Sequence, residues 1–299
     1  MIKEPGKIAK KIVLLGAPEV CLYHVDGGKE SVLIGGGMAY LAPQVLNQAE
    51  TFAIDVKKLR RLLILHTHFD HCGLAPFLKK SWPWIKVSAS QQGRSCLSDP
   101  KLTQYIAGLN QAMIAREGLE KEAAQLGFGF TGIEVEEILK EGDRVPCGDL
   151  SIEILEVPGH SSCSIAAYVP ELKALFASDA SGVHYPGFIF SAGNSNFDLY
   201  ERSLRRLAGL DVEAVLLEHY GAALGDEARS LLSQSIEAAK EARAAIEQSY
   251  RRTGDARKTA QEITRSILDR TPGNFLTEDV LFGVMERMVK FIVKARKGT

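Results

Sequence analysis

Apolar positions in the first forty residues fall in short β-rich runs. KIVLLGA, VCLYHVDG and ESVLIGGG, between residues 11 and 37, are separated by Pro or Gly-Gly turn signals and predict an antiparallel meander. MAYLAPQVLNQAE then reads as a helix, and RLLIL, from Arg61 to Leu65, is the continuous apolar run of a strand covered on both faces. GLAPFLKK predicts a short helix and IKVSAS a further strand. From Gln91 to Phe130 the period changes. Leu102, Ile106, Leu109 and Met113 follow helical spacing behind an Asp99-Pro100 start signal, which predicts a helical insert over about 91–130. Strand patterns return in VEEIL, LSIEILEVP, SIAAYVP and ALFASD. FDLYERSLRRLAGL supplies a helix, and EAVLL a last strand that ends on Glu218 and His219.

Beyond Gly225 only helix formers remain, with helices expected near 226–250, 255–269 and 277–297. In the last of these Val284, Met288, Phe291 and Ile292 share one face while Lys290 and Lys294 fall outside it, so the helix is expected to pack on the core or on a twin subunit in a homodimer. Interleaved acidic residues argue against a membrane-surface helix. The recurrence of meander then helix predicts an α/β fold of two sheets sandwiched between outer helices. Residues 1–225 are expected to form its main domain and 226–299 a helical C-terminal extension.

Composition adds exclusions. Hydrophobic residues make up 45% of the chain, enough to bury a large core, and 36 basic against 37 acidic side chains give no bulk attraction for nucleic acid. No apolar stretch approaches the roughly 18 residues of a membrane span, and KIVLL is too short for a signal-peptide core, so a cytoplasmic protein without a membrane partner is expected. The five cysteines, Cys21, Cys72, Cys96, Cys147 and Cys163, lack CxxC spacing and read as reduced thiols.

The chemistry concentrates at HTHFDH, which places His66, His68, Asp70 and His71 directly after a buried strand. In extended backbone, residues two apart point the same way, so His66, His68 and Asp70 are expected to share a face, with His71 swung back toward them as the chain turns into a helix. Four donors do not fill two coordination spheres, so further ligands are expected at later strand ends. His160 in VPGHSS, Asp179 in ALFASD and His219 in AVLLEH stand there. Two cations about 3.5 to 4 Å apart share a water, lower its pKa toward neutrality and polarise the substrate, which makes a bridging hydroxide and hydrolysis the expected chemistry. Asp70 and Asp179 are the candidate catalytic carboxylates, able to orient the proton of that nucleophile.

HxHxDH, a PGH element, an Asp after a strand and a final His together resemble the metallo-β-lactamase superfamily, and the resemblance spans residues 11–222. It implies an αββα sandwich with one metal on His66, His68 and His160, the other on Asp70, His71 and His219, and Asp179 bridging the pair. Members of this DH type, such as glyoxalase II, accept zinc, iron or manganese, and the mixed imidazole and carboxylate donors suit all three. One departure stands out. Many relatives carry an Asp in a D-x-G element after the third strand, whereas this chain reads LIGGGMAY with Gly35 near that position, which implies a different set of groups behind the ligands.

Within the superfamily HTHFDHCGLAPFL, the insert and the helical extension resemble the group of bacterial quinolone-signal response thioesterases. That resemblance implies hydrolysis of an acyl thioester, with the insert and the C-terminal helices as a cap over the entrance. Phe128, Phe130, Phe188, Phe190 and Phe275 lie in loop-like contexts and suit either a pocket wall or loop anchors. A phosphodiesterase would use the same metals and would need cations such as Arg94, Arg116 or Lys121 nearby, and a lactonase is equally compatible. His184, Tyr185 and Tyr220 are candidate substrate contacts. A regulatory protein that binds a partner through its C-terminal helices and merely retains the metal site is the alternative of another class. The superfamily's nuclease and flavo-diiron branches need added domains that this length does not hold.

Overall fold

A computed structural model describes residues 1–271 and 277–296. The first sheet follows chain order through β1 (Gly6–Ala9), β2 (Ile12–Ala17), β3 (Val20–Asp26), β4 (Ser31–Ile34), β5 (Leu59–Leu63), β6 (Lys86–Ser90) and β7 (Glu137–Leu139). β1 to β4 pair antiparallel, joined by tight turns. β4 to β7 pair parallel, which demands crossovers. These are supplied by α1 (Ala42–Thr51), α2 (Phe69–Cys72) and α3 (Ala75–Ser81), and by the insert helices α4 (Gln91–Leu97), α5 (Pro100–Arg116) and α6 (Glu120–Leu126). Asp99 caps α5 by accepting from the Lys101 and Leu102 amides, as its Asp-Pro signal predicts.

The second half begins with β8 (Arg144–Cys147), β9 (Leu150–Glu156), β10 (Ile165–Val169) and β11 (Ala174–Phe176). A separate hairpin, β12 (Val183–Tyr185) and β13 (Phe188–Phe190), precedes α7 (Phe197–Leu207), β14 (Ala214–Leu216) and β15 (Ala222–Leu224). The second sheet has the order β15-β14-β11-β10-β9-β8. EAVLL is therefore not the last strand. The chain turns back at Tyr220-Gly221, and Ala222–Leu224 pairs with β14, a segment too short and too rich in alanine to register as a strand in the sequence. α8 (Asp226–Thr253), α9 (Ala256–Leu268) and α10 (Glu278–Arg296) complete the fold.

Side-chain alternation explains the layers. On β3, Cys21, Tyr23 and Val25 face the second sheet, whereas Val20 and Leu22 face the helices on the outside. Leu63 and Leu65 enter the same inter-sheet core, to which β10 contributes Ile165, Ala167 and Val169. Helices cover both outer faces, so the architecture is the αββα sandwich, with the C-terminal helices packed against the hairpin and α7. Val284, Met288 and Ile292 of α10 are buried there, and Lys290 and Lys294 are exposed. No helix among the described residues is long and apolar enough to cross a membrane.

Candidate metal centre

The candidate ligands sit where both sheets end. After β5 the chain passes through His66 to His68, which has an extended backbone at the cap of α2, so that Asp70 and His71 leave from the first turn of that helix. Asp70 thus reaches the cluster by helical geometry, not by the alternation expected of extended chain, because Phe69 already begins the helix. Asn110 of the insert locks this loop. Its buried amide donates to the Phe69 carbonyl at 3.0 Å and accepts from the Ala39 amide at 2.9 Å. A side chain at position 73 would lie 2.1 Å from the Asn110 oxygen, so this close approach requires Gly73.

The later residues arrive from the second sheet: His160 from the loop between β9 and β10, Asp179 from the turn after β11, and His219 from the turn after β14. Six of the seven are buried, and His68 is partly so. Asp179 is central: its Oδ2 lies 3.7 Å from His66 Nε2, 3.5 Å from His71 Nε2, and 3.4 Å from Nε2 of both His160 and His219. Asp70 Oδ2 lies 3.2 Å from His71 Nε2 and 3.6 Å from His219 Nε2. Donor atoms of His66, His68, His160 and Asp179 all fall within 4.8 Å of one another, and so do those of Asp70, His71 and His219.

Hydrogen bonds at the far ring nitrogens fix which atom each imidazole presents. His160 Nδ1 donates to the Ala192 carbonyl at 2.8 Å, and His219 Nδ1 to the Glu19 carbonyl at 2.5 Å, leaving the Nε2 lone pairs directed inward. His68 turns its Nδ1 inward, 2.8 Å from His160 Nε2. His66 Nε2 is buried without a hydrogen-bond partner. Imidazole nitrogens turned toward one another around two carboxylates make a donor set that fits divalent cations.

Charge follows the same division. Burial pushes His68 and His160 down, His160 to about 4, and both remain neutral donors near pH 7. Burial also opposes ionisation of Asp70 and Asp179, yet the imidazoles of His71 and His219 hold Asp70 below the usual carboxylate range, and those of His219, His71 and His160 do the same for Asp179.

A cavity of about 500 Å³ opens onto this cluster. Leu102, Tyr105, Ile106 and Leu109 of the insert form one wall, Val280, Val284 and Arg287 of α10 another, and Tyr185 and Phe190 of the hairpin a third. Tyr185 therefore stands beside the candidate ligands. Tyr220 packs behind it, with ring centres 5.1 Å apart. His184 points elsewhere: it lines a second cavity of about 1020 Å³ under the hairpin, with Nε2 3.0 Å from Ser235 Oγ. Phe128 and Phe130 are buried beneath the insert, and Phe188 lines the second cavity under the Arg270 guanidinium. Phe275 lies outside the described residues. Arg94, Arg116 and Lys121 do not line the metal cavity, and Arg287 is the one Lys or Arg among its described lining residues. Cys72 is buried with its thiol 3.3 Å from the His68 carbonyl and is outside the ligand groups.

Two contributors lack an assignment in the sequence reading. Glu218 is buried with Oε2 3.1 Å from His66 Nδ1, and Ser178 Oγ lies 3.0 Å from both. A glutamate between AVLL and a candidate ligand histidine, in a chain with glycine at position 35, was the signal in the sequence.

A family model described as "Metallo-beta-lactamase superfamily" matches residues 21–219. Acyl-coenzyme A thioesterase MBLAC2 of Gallus gallus is 26% identical over 227 residues, 73% of this chain and 78% of the relative. A hydroxyacylglutathione hydrolase of Thermosynechococcus vestitus is 30% identical over 123 residues, covering 40% of this chain and 34% of that protein. Among solved structures, the metallo-beta-lactamase family protein TTHA1429 of Thermus thermophilus aligns with a TM-score of 0.67 at 17% identity, over 98% of this chain and 95% of its own, a likeness of fold.

Proposed function

As the chain belongs to the metallo-β-lactamase superfamily, we propose that it is a hydrolase with two divalent ions, zinc, iron or manganese, that cleaves acyl thioesters. His66, His68 and His160 would hold one ion, Asp70, His71 and His219 the other, and Asp179 would contact both. Bound there, such ions supply Lewis acidity for the acyl oxygen and a water acidic enough to attack near neutral pH.

The chain's own residues supply the rest. Asp70 and Asp179 stay ionised among their histidines and can accept a hydrogen bond from the attacking water, orienting its proton. Burial raises the Tyr185 hydroxyl well above neutrality, so it remains an O–H donor able to reach a substrate carbonyl in the cavity.

The observation that carries the substrate class is the cavity wall. Leu102, Tyr105, Leu109, Val280, Val284 and Phe190 offer apolar surface to an acyl chain, while Arg287 alone offers a cation among the described lining residues. A phosphodiester would ask for several positive groups beside the metals. Relatives named for an acyl-coenzyme A and for a hydroxyacylglutathione support the same direction. The test is metal analysis of the purified chain, then turnover of thioesters, lactones and phosphodiesters by the metal-loaded protein. Thioesters should give the highest kcat/KM. Phosphodiester turnover far above it would overturn the substrate class, and metal binding without turnover of any class would favour a regulatory protein.

A further inference from the structure

We infer that Glu218 is a positioning residue whose single carboxylate supports a ligand histidine of each metal ion, and so couples the two ions; the inference rests on the two-ion reading above. Glu218 Oε2 lies 3.1 Å from Nδ1 of His66, and Oε1 lies 3.5 Å from Nδ1 of His71. His66 belongs to the group with His68 and His160, and His71 to the group with Asp70 and His219. Ser178 Oγ donates to Oε2 at 3.0 Å, and Ser178 holds a left-handed backbone, φ 53°, that strains any residue but glycine. Oε1 of Glu218 and Nδ1 of His71 are both buried without a hydrogen-bond partner, and closing the 3.5 Å between them would satisfy both.

The first sheet cannot supply this carboxylate. A Cβ built on Gly35, at the end of β4, would lie 3.2 Å from the Cys21 carbonyl and 3.7 Å from Glu218 Oε1, and Gly35 has φ 93°, which strains any other residue. Glu218 fills from the second sheet the space that a side chain at position 35 would enter. Its backbone is pinned, since its carbonyl accepts from the Cys21 amide at 2.8 Å.

The chemistry requires a carboxylate specifically. An imidazole that gives its Nε2 lone pair to a cation carries its proton on Nδ1, so both His66 and His71 present an N–H to Glu218. A carboxylate accepts two such bonds, one at each oxygen. A glutamine accepts at one oxygen only, and its NH2 then faces the other N–H. The amide oxygen stays with His66, where Ser178 also donates, and the NH2 confronts His71. His71 can relieve that clash only by moving its proton to Nε2, the atom that must ligate.

The test is E218Q in the full chain, stripped with chelator and titrated with Zn2+ alone, with bound metal counted at each free Zn2+ concentration. Wild type should take two ions. E218Q should keep the first and bind the second 10- to 100-fold more weakly, and E218D, which restores two acceptors, should recover part of the loss. Two ions bound by E218Q with unchanged affinity would overturn the inference and leave the two-ion reading intact, whereas a wild type that takes fewer than two would sink that reading. Should E218Q fail to fold, proton and nitrogen NMR of metal-loaded wild type decides: Nδ1–H protons of both His66 and His71 shifted downfield by a hydrogen bond to a carboxylate are expected, and an Nδ1–H at either ring without that shift would overturn the inference while leaving the two-ion reading intact.

Discussion

Nε2 of His71 lies 3.0 Å from Nε2 of His219, and both rings are buried. His219 is held in this orientation because its Nδ1 donates to the Glu19 carbonyl. A proton between the two nitrogens belongs to one ring at a time, whereas a cation accepts both lone pairs. Metal binding should therefore be coupled to stability. An ion at a thousand times its Kd contributes about 4 kcal/mol, so adding Zn2+ or Mn2+ to chelator-treated protein should raise Tm by roughly 10 °C. Scanning calorimetry with and without metal checks this, and an unchanged Tm would remove the metal centre as the reading of the cluster.

Leu102 and Tyr105 line the metal cavity while remaining 42% and 61% exposed, so they hold little of the fold together. Truncating either to Ala should leave stability within about 0.5 kcal/mol of wild type. The cost should fall on substrates with long acyl chains, with KM rising about 10-fold, because burying a large apolar side chain is worth roughly 1.5–3 kcal/mol. Short-chain substrates should be spared. A KM that does not depend on chain length in either variant would place the acyl chain elsewhere.

His184 makes a different prediction, on stability alone. Burial lowers it to about 4, against about 6.5 in an unfolded chain. As pH falls below that unfolded value, the unfolded state takes up a proton that the folded state refuses until about pH 4. Stability is therefore full above the unfolded value and is lost through that window, by an amount of the order of 3 kcal/mol. H184Q should lack this loss. Urea unfolding of chelator-treated wild type and H184Q at pH 7.5 and 4.5 tests the difference, and parallel pH dependences would contradict it.

The elements legible in the sequence were those whose burial pattern one face decides. On β5, Leu62 and Leu63 are covered from opposite sides, which produces the unbroken RLLIL run, and α5 shows its Ile106 stripe because its other side faces solvent. The hairpin at VHYPGFIF escaped the pattern. Val183, His184 and Tyr185 are all buried, with His184 lining one cavity and Tyr185 lining both, so no period of two survives. The candidate ligands were legible as types at strand ends, but Asp70 could not be placed on a helix because α2 spans only Phe69–Cys72. Glu218 and Ser178 touch other side chains of the cluster; only the Glu218–His219 adjacency beside Gly35 hinted at the first, and nothing in the spacing marked the second. The cavity wall depends on how the insert and α10 meet across the site, a relationship between residues some 180 apart that no local pattern encodes.

Gly159 offers the sharpest test of how the fold positions its chemistry. It has φ 135°, and a Cβ there would lie 2.2 Å from the backbone nitrogen of Tyr200 and 2.3 Å from its Cα. Neither side can yield easily, since the Gly159 carbonyl accepts from the Ser195 and Asn196 amides, each at 3.0 Å, and so ties this loop to the start of α7. A methyl group must push the two apart by about 1 Å to reach ordinary contact. His160 is the next residue, and on the proposed reading its Nε2 would have to meet a metal within about 0.2 Å. G159A should thus lose stability by roughly 1–3 kcal/mol and activity by about 100-fold or more, with metal content falling in parallel. G108A is the control. Gly108 lies within α5 with open space around its Cβ position, so alanine there should stabilise by about 1 kcal/mol with activity unchanged. Full metal content and activity in G159A would mean that the loop carrying His160 is not fixed by its contact with α7.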